Sequence, residues 1–149
     1  MRTLLIILSV LIAPYVGRCV QPQGDNTLRF YVVSDTLVAG GRYVDTPECP
    51  KVGYVSNTPD LVITNLQSVS TNALNADVDI QMFEPDAKRF ADLTRQNISH
   101  RILISLGDRP LMAPVVQCAI ENGKVQITAG EGKDIQAIAA ALKRFVRHE

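Results

Sequence analysis

Polar and apolar residues alternate without a break from Asp77 to Met82, setting Val78, Ile80 and Met82 on one face and Asp77, Asp79 and Gln81 on the other. This pattern predicts a half-buried antiparallel strand with its carboxylates on the wet side. Lys124 to Thr128 alternates in the same way after a turn at Asn122-Gly123. The spacing then changes from two to between three and four. Ala87, Phe90, Ala91 and Thr94 recur at i, i+3, i+4 and i+7, predicting one face of a helix from Pro85 to about Asn97. Pro85 suits the first turn, Asn97 suits a left-handed end, and Lys88 and Asp92 are spaced to pair on the exposed side. A last helix is expected after Asp134 as its cap, with Ile135, Ile138, Ala139, Leu142 and Phe145 in one stripe.

Runs rich in β-branched and apolar residues predict further strands at Leu28–Val33, Arg101–Leu106 and Leu111–Val116, while Leu61–Leu66 suits a strand or a short helical turn. Gly107-Asp108 places glycine first in a two-residue hairpin loop, and Pro110 fits only a strand start or an edge. The fold class that follows is α+β, an antiparallel sheet covered by two amphipathic helices.

The N-terminus is a different kind of sequence. Met1-Arg2-Thr3 is followed by an apolar stretch from Leu4 to Ala13 that ends at Pro14, the order of a secretory signal peptide. Gly17 and Cys19 suit cleavage before Val20; an alternative attaches lipid to Cys19, against which Arg18 stands. No later segment is long and apolar enough to span a bilayer, so no stable transmembrane segment is expected after cleavage. The expected organisation is a signal peptide at 1–19, a flexible leader at 20–27 and a single domain at 28–149. Within it, Gly40, Gly41, Pro47, Pro50, Gly53 and Pro59 mark a Pro/Gly-rich insertion at 35–60, with short extended pieces at Tyr43-Val44 and Gly53–Val55. The expected location is periplasmic or secreted.

Composition narrows the function. The 149 residues carry 15 Lys+Arg against 15 Asp+Glu, with no basic run to contact phosphates, so no nucleic-acid partner is expected. Arg2 and Arg18 leave with the leader, which makes the mature chain slightly acidic. Of the three cysteines, Cys49 and Cys118 remain in it. An oxidising compartment allows them to pair, closing a long loop worth about 4 kcal/mol in the entropic picture; the alternative is two separate thiols. His100 falls in a turn and His148 is next to last, too few imidazoles for a zinc site. Gly130-Glu131-Gly132 carries an acid that would repel phosphate. Asn97-Ile98-Ser99 matches a glycosylation sequon at a position a helix end already explains. No nucleophile, base and oxyanion donor assemble, so neither an enzyme nor a cofactor is expected. An enzyme would require Asp77, Asp79, His100 and Asp108 to converge.

The stretch Phe83 to Phe145 resembles a known family. Its spine is the helix Glu84 to Asn97 with Phe90, Thr94 and Asn97, the strand Arg101 to Leu106, the turn Gly107-Asp108, the strand Leu111 to Val116 with Ala113-Pro114, Gln126 to Gly130, and a final amphipathic helix. This order is similar to the head subdomain of the first periplasmic region of SecD and SecDF, membrane subunits that assist the Sec protein-export channel. The family's turn reads Asp-Gly, whereas this chain has Gly107-Asp108; the family's transmembrane helices have no counterpart here. The resemblance implies the head fold, a periplasmic setting, and contact with unfolded exported proteins or Sec and envelope components. It assigns Phe90, Thr94, Asn97, Gly107, Asp108, Ala113, Pro114, Gln126 and Gly130 structural roles. An uncovered sheet edge framed by the insertion would receive an extended chain, with Tyr43, Val44, Tyr54 and Val55 as its surface; the alternative folds these four back as a satellite cluster. The competing function is a secreted binding or inhibitor protein that reuses the fold with no role in export.

Overall fold

The computed structural model describes residues 27–72, 77–128 and 134–147. Among these residues nine strands and two helices follow in the order β1 (Leu28–Val32), β2 (Arg42–Val44), β3 (Gly53–Val55), β4 (Leu61–Ile63), β5 (Leu66–Asn72), β6 (Asp77–Met82), α1 (Glu84–Gln96), β7 (Ile102–Leu106), β8 (Arg109–Met112), β9 (Lys124–Thr128) and α2 (Ile135–Lys143). The strands pair antiparallel, but in three sheets rather than one: β4-β1-β7-β8, the hairpin β2-β3, and β5-β6-β9. The segment at 61–66 is therefore split. Its first three residues pair with β1, and Leu66 opens a strand of the other large sheet.

β1 and β7 are apolar on both faces because both faces are covered. Leu28 and Phe30 with Ile102 and Ile104 face the main core, while Tyr31, Val33 and Leu103 face a second cluster with Val44, Cys49, Val52 and Val55. The main core is continuous across the inner side of β5-β6-β9, where Val78, Ile80, Met82, Val125 and Ile127 point, and the apolar stripes of both helices. Phe30 and Phe90 meet there with ring centroids 4.9 Å apart at 50°, within the favourable range for tilted aromatic pairs. The hairpin β2-β3 closes the back of the first sheet and is fastened to it by Ser34 and Tyr54, each amide donating to the other's carbonyl at 2.8 Å.

α1 buries Ala87, Phe90, Ala91 and Thr94, the face the spacing predicts. Its end differs from expectation. Asn97 adopts φ −123° and ψ 32°, and its side-chain amide donates to the Leu93 carbonyl at 2.8 Å; Ser99, at φ 68°, is the left-handed residue. The side-chain bond satisfies a terminal carbonyl without the left-handed turn. Lys88 pairs with Glu84 at 2.7 Å, the favourable acid-before-base order, and Asp92 with Arg95 at 2.6 Å. α2 is capped by Asp134, whose carboxylate accepts from the Ala137 amide at 3.0 Å.

Gly107 has φ 56° at the first loop position between β7 and β8, and its amide donates to the Thr27 carbonyl at 2.7 Å. Asp108 beside it pairs with Arg29 at 2.8 Å, holding the loop to the start of β1. Pro110 lies on β8, an edge strand, opposite Ser105. Asp77 departs from the wet-face expectation: it is buried, its Oδ2 accepts from Gln126 Nε2 at 3.3 Å, and its Oδ1 meets no hydrogen-bond partner among the described residues. The expected signal peptide, most of the leader, Gly130-Glu131-Gly132 and His148 lie outside the described residues.

Candidate interaction groove

An apolar groove of about 300 Å³ opens between the two large sheets. Phe90 and Thr94 reach it from α1, Ile102 and Ile104 from β7, Met112 from β8 and Val125 from β9; the segment Pro114–Ile120 completes its wall. β8 and β9 are end strands of their respective sheets, so two strand margins flank the same apolar space. Hydrogen bonds fix the wall on both sides. The Ile102 amide donates to the Pro114 carbonyl at 3.0 Å, and the Val116 amide to the His100 carbonyl at 2.9 Å. Across the groove, Thr94 Oγ1 donates to the Phe90 carbonyl at 2.9 Å and accepts from the Ile120 amide at 3.0 Å. Thr94 is 0% exposed, which makes this pair of bonds costly to lose. On the surface above, Arg95 reaches Glu121 at 3.1 Å, and its guanidinium is held above its ordinary pKa by the hydrogen bonds to Glu121 and Asp92.

Such a site binds by burying apolar surface and offering strand margins for backbone hydrogen bonding. Lys124 is the charged residue on its lining. It contains no nucleophile held by a base. Asp77 is bonded to Gln126, Asp108 to Arg29, and His100 Nδ1 lies 3.2 Å from the Ile98 carbonyl, so these groups and Asp79 do not converge. Among the described residues no group of three His, Cys, Asp or Glu is placed to hold a metal ion. A second depression of about 560 Å³ lies over the outer face of β5-β6-β9, lined by Ser68, Ser70, Asp79, Gln81, Lys124 and Gln126 together with Ile80 and Val125.

The four residues expected to form an apolar surface divide into two pairs. Val44 (2% exposed) and Val55 (0%) belong to the second core cluster, because strand alternation turns them onto the back of the first sheet. Tyr43 and Tyr54 lie on the opposite face as an edge-to-face pair, centroids 5.0 Å apart at 63°, with Tyr43 51% exposed and Tyr54 half-buried. Of the two alternatives for the cysteines, Cys49 and Cys118 are not paired with each other; Cys49 is buried and Cys118 exposed. Cys49 lies in the cluster behind the sheet and Cys118 on the groove wall at its front, whereas a disulfide needs Cα atoms within about 7 Å of each other.

The family-pattern residues frame the groove or the turns beside it. Phe90, Thr94, Pro114 and Gln126 line it; Ala113 packs against the second cluster; Asn97 ends α1; Gly107 and Asp108 make the β7-β8 loop; Gly130 lies outside the described residues. Met112, Ile120 and Val125 were not singled out by sequence reasoning. Alternation in β9 turns Val125 inward, but the gap that the three line exists only once two sheets are placed.

The family model for the SecDF P1 head subdomain matches residues 56–144. A curated relative, the protein translocase subunit SecD of Acidaminococcus fermentans, is 39% identical over 67 residues, which is 44% of this chain and 16% of that protein. The chain thus spans about a sixth of that relative's length. Among solved structures, one described as a membrane component SecDF that enhances protein export aligns with a TM-score of 0.57 at 22% identity, covering 79% of this chain and 62% of that one. SecDF in its super-membrane-facing form aligns at 0.56 and 25% identity, covering 79% and 18%. Among the described residues no helix is long and apolar enough to cross a membrane.

Proposed function

The chain belongs to the SecDF P1 head subdomain family, and from that premise we propose that it is a non-catalytic interaction domain of protein export, acting outside the cytoplasmic membrane on exported proteins that are still incompletely folded. The groove supports this reading. Unfolded chains offer apolar side chains and unpaired backbone groups together, and an apolar space of about 300 Å³ between the end strands β8 and β9 offers both complements. The exposed Tyr43, in edge-to-face contact with the half-buried Tyr54, is a second contact point on the back of the domain. Its partners are then unfolded exported chains, or Sec and envelope components that present them, with the signal peptide at 1–19 directing the domain there.

A photo-crosslinking residue placed at Met112, and separately at Tyr43, tests the proposal. With a reduced, unfolded secretory protein, crosslinks are expected at Met112 and weaker ones at Tyr43, and folding of the client should remove both. Crosslinks at neither position overturn the proposal. Capture of a single folded partner, with no unfolded client, would favour a secreted binding or inhibitor protein instead.

A further inference from the structure

The groove between the sheets is small. Its volume of about 300 Å³ lies at the low end of ligand pockets, which run from roughly 300 to 1,000 Å³. It therefore encloses a few large side chains and leaves the residues flanking them at the rim. Lys124 brings charge to that rim. It is the charged residue among those lining the groove, and it stands exposed at the first position of β9. Among the described residues its ammonium makes no ion pair, and this includes Asp79, which lies diagonal to it across the β6-β9 ladder on the outer face. The acids of α1 and of the groove wall are already answered. Asp92 and Glu121 both pair with Arg95, and together with Lys88 they line a separate depression in which two acids face two bases.

We propose that Lys124 makes the groove selective by charge: it favours extended apolar segments flanked by acidic residues and disfavours those flanked by bases. The inference rests on the groove being a site for unfolded chains, and it adds the class of segment taken. A charge at the rim attracts or repels an arriving partner without being buried, so its effect falls on encounter and discrimination. Its reach is about a Debye length, ~10 Å at 0.1 M salt, enough to cover the residues on either side of the buried ones. Residues 1–19 of this chain are a sequence that such a groove rejects. They join the apolar stretch Leu4 to Ala13 to Arg2 on one side and Arg18 on the other, with no acid among them. Bases ahead of an apolar core are general to secretory signal peptides. Selection of this sign therefore turns the groove toward the mature parts of exported chains and away from their targeting segments.

Two dye-labelled peptides test this, sharing the core Leu-Ala-Phe-Leu-Ala-Phe and flanked on both sides by Asp-Asp in one and by Lys-Lys in the other. Each is titrated into the full chain, and into the chain with a photo-crosslinking residue at Met112. The acid-flanked peptide is expected to bind about fivefold more tightly at low salt, and the difference should fade at about 0.5 M salt. Lys124→Gln should bring the two affinities together, and Lys124→Glu should reverse their order. Both peptides should crosslink at Met112, which reports on the groove itself. Crosslinking of both with equal affinities, or with an order that Lys124→Glu leaves unchanged, overturns the charge selection while the groove reading stands. Crosslinking of neither overturns both.

Discussion

Thr94 Oγ1 accepts the Ile120 amide at 3.0 Å while donating to the Phe90 carbonyl at 2.9 Å, so one buried hydroxyl couples α1 to the segment that walls the groove. Thr94→Val keeps the shape and removes the acceptor. The Ile120 amide, part-buried in that contact, then loses its partner, a cost of about 1–3 kcal/mol. The expected result is a lower urea midpoint with an unchanged slope. Amide exchange should accelerate at Ile120 more than elsewhere in the core.

Gly123 occupies φ +63°, and a Cβ there would lie 2.5 Å from the Ala87 Cβ. Its carbonyl also accepts the Met82 amide at 3.0 Å, so the turn before β9 is pressed against the start of α1. Gly123→Ala therefore meets both backbone strain and a clash, and should destabilise by more than about 1 kcal/mol. Ala87→Gly in the same chain removes the clashing methyl and should recover part of the loss in thermal melts.

The two thiols differ in access. Cys118 stands exposed on the groove wall, and Cys49 is enclosed behind the first sheet. A thiol reagent such as Ellman's is expected to modify one cysteine of the mature chain quickly and the other only as the protein unfolds. Peptide mapping under oxidising conditions should show no disulfide joining Cys49 to Cys118 within one chain. Rapid modification of both, or of neither, would contradict the placement.

The Glu84 carboxyl is held below its ordinary pKa, first by its hydrogen bond to Lys88 and then by that residue's charge; the Lys88 ammonium is raised by the same pair. A depressed acid contributes fully above its unfolded value and loses that contribution as pH falls through its folded value. The raised base contributes fully below its unfolded value and loses it as pH rises through its folded one. The pair therefore supports the first turn of α1 across the neutral range and fails at both extremes. Both groups are fully exposed, so salt should screen the effect. Glu84→Gln is expected to flatten the acid-side pH dependence of amide exchange in that turn.

Elements with one wet and one dry face were legible in the sequence. β6, β9, α1 and α2 follow from alternation or helical spacing alone, and the buried face of α1 is the one the spacing selects. β5 was not legible, because on an outer strand only Val69 is apolar and packs on the core between Leu66 and Asn72, and the five polar residues around it read as a loop. Asp77 was misread for a related reason: alternation gives the face of a residue but not what else covers that face. Val44 and Val55 lie in a Pro/Gly-rich stretch whose contacts are long-range, so nothing local distinguished core valines from surface ones. The groove itself depends on how two sheets sit side by side, and no window of sequence contains both.

The order β4-β1-β7-β8 sets the limits of the unit that folds. β1, residues 28–32, runs between β4 and β7 with a partner on each side, yet the stretch matched to the family begins only at residue 56. A fragment trimmed to the matched stretch would lack the strand that joins β4 to β7. It would also lose β2 and β3, baring Leu103 on the back of the sheet. Cooperative unfolding should therefore include residue 28, and any excised version of this domain has to start there or earlier.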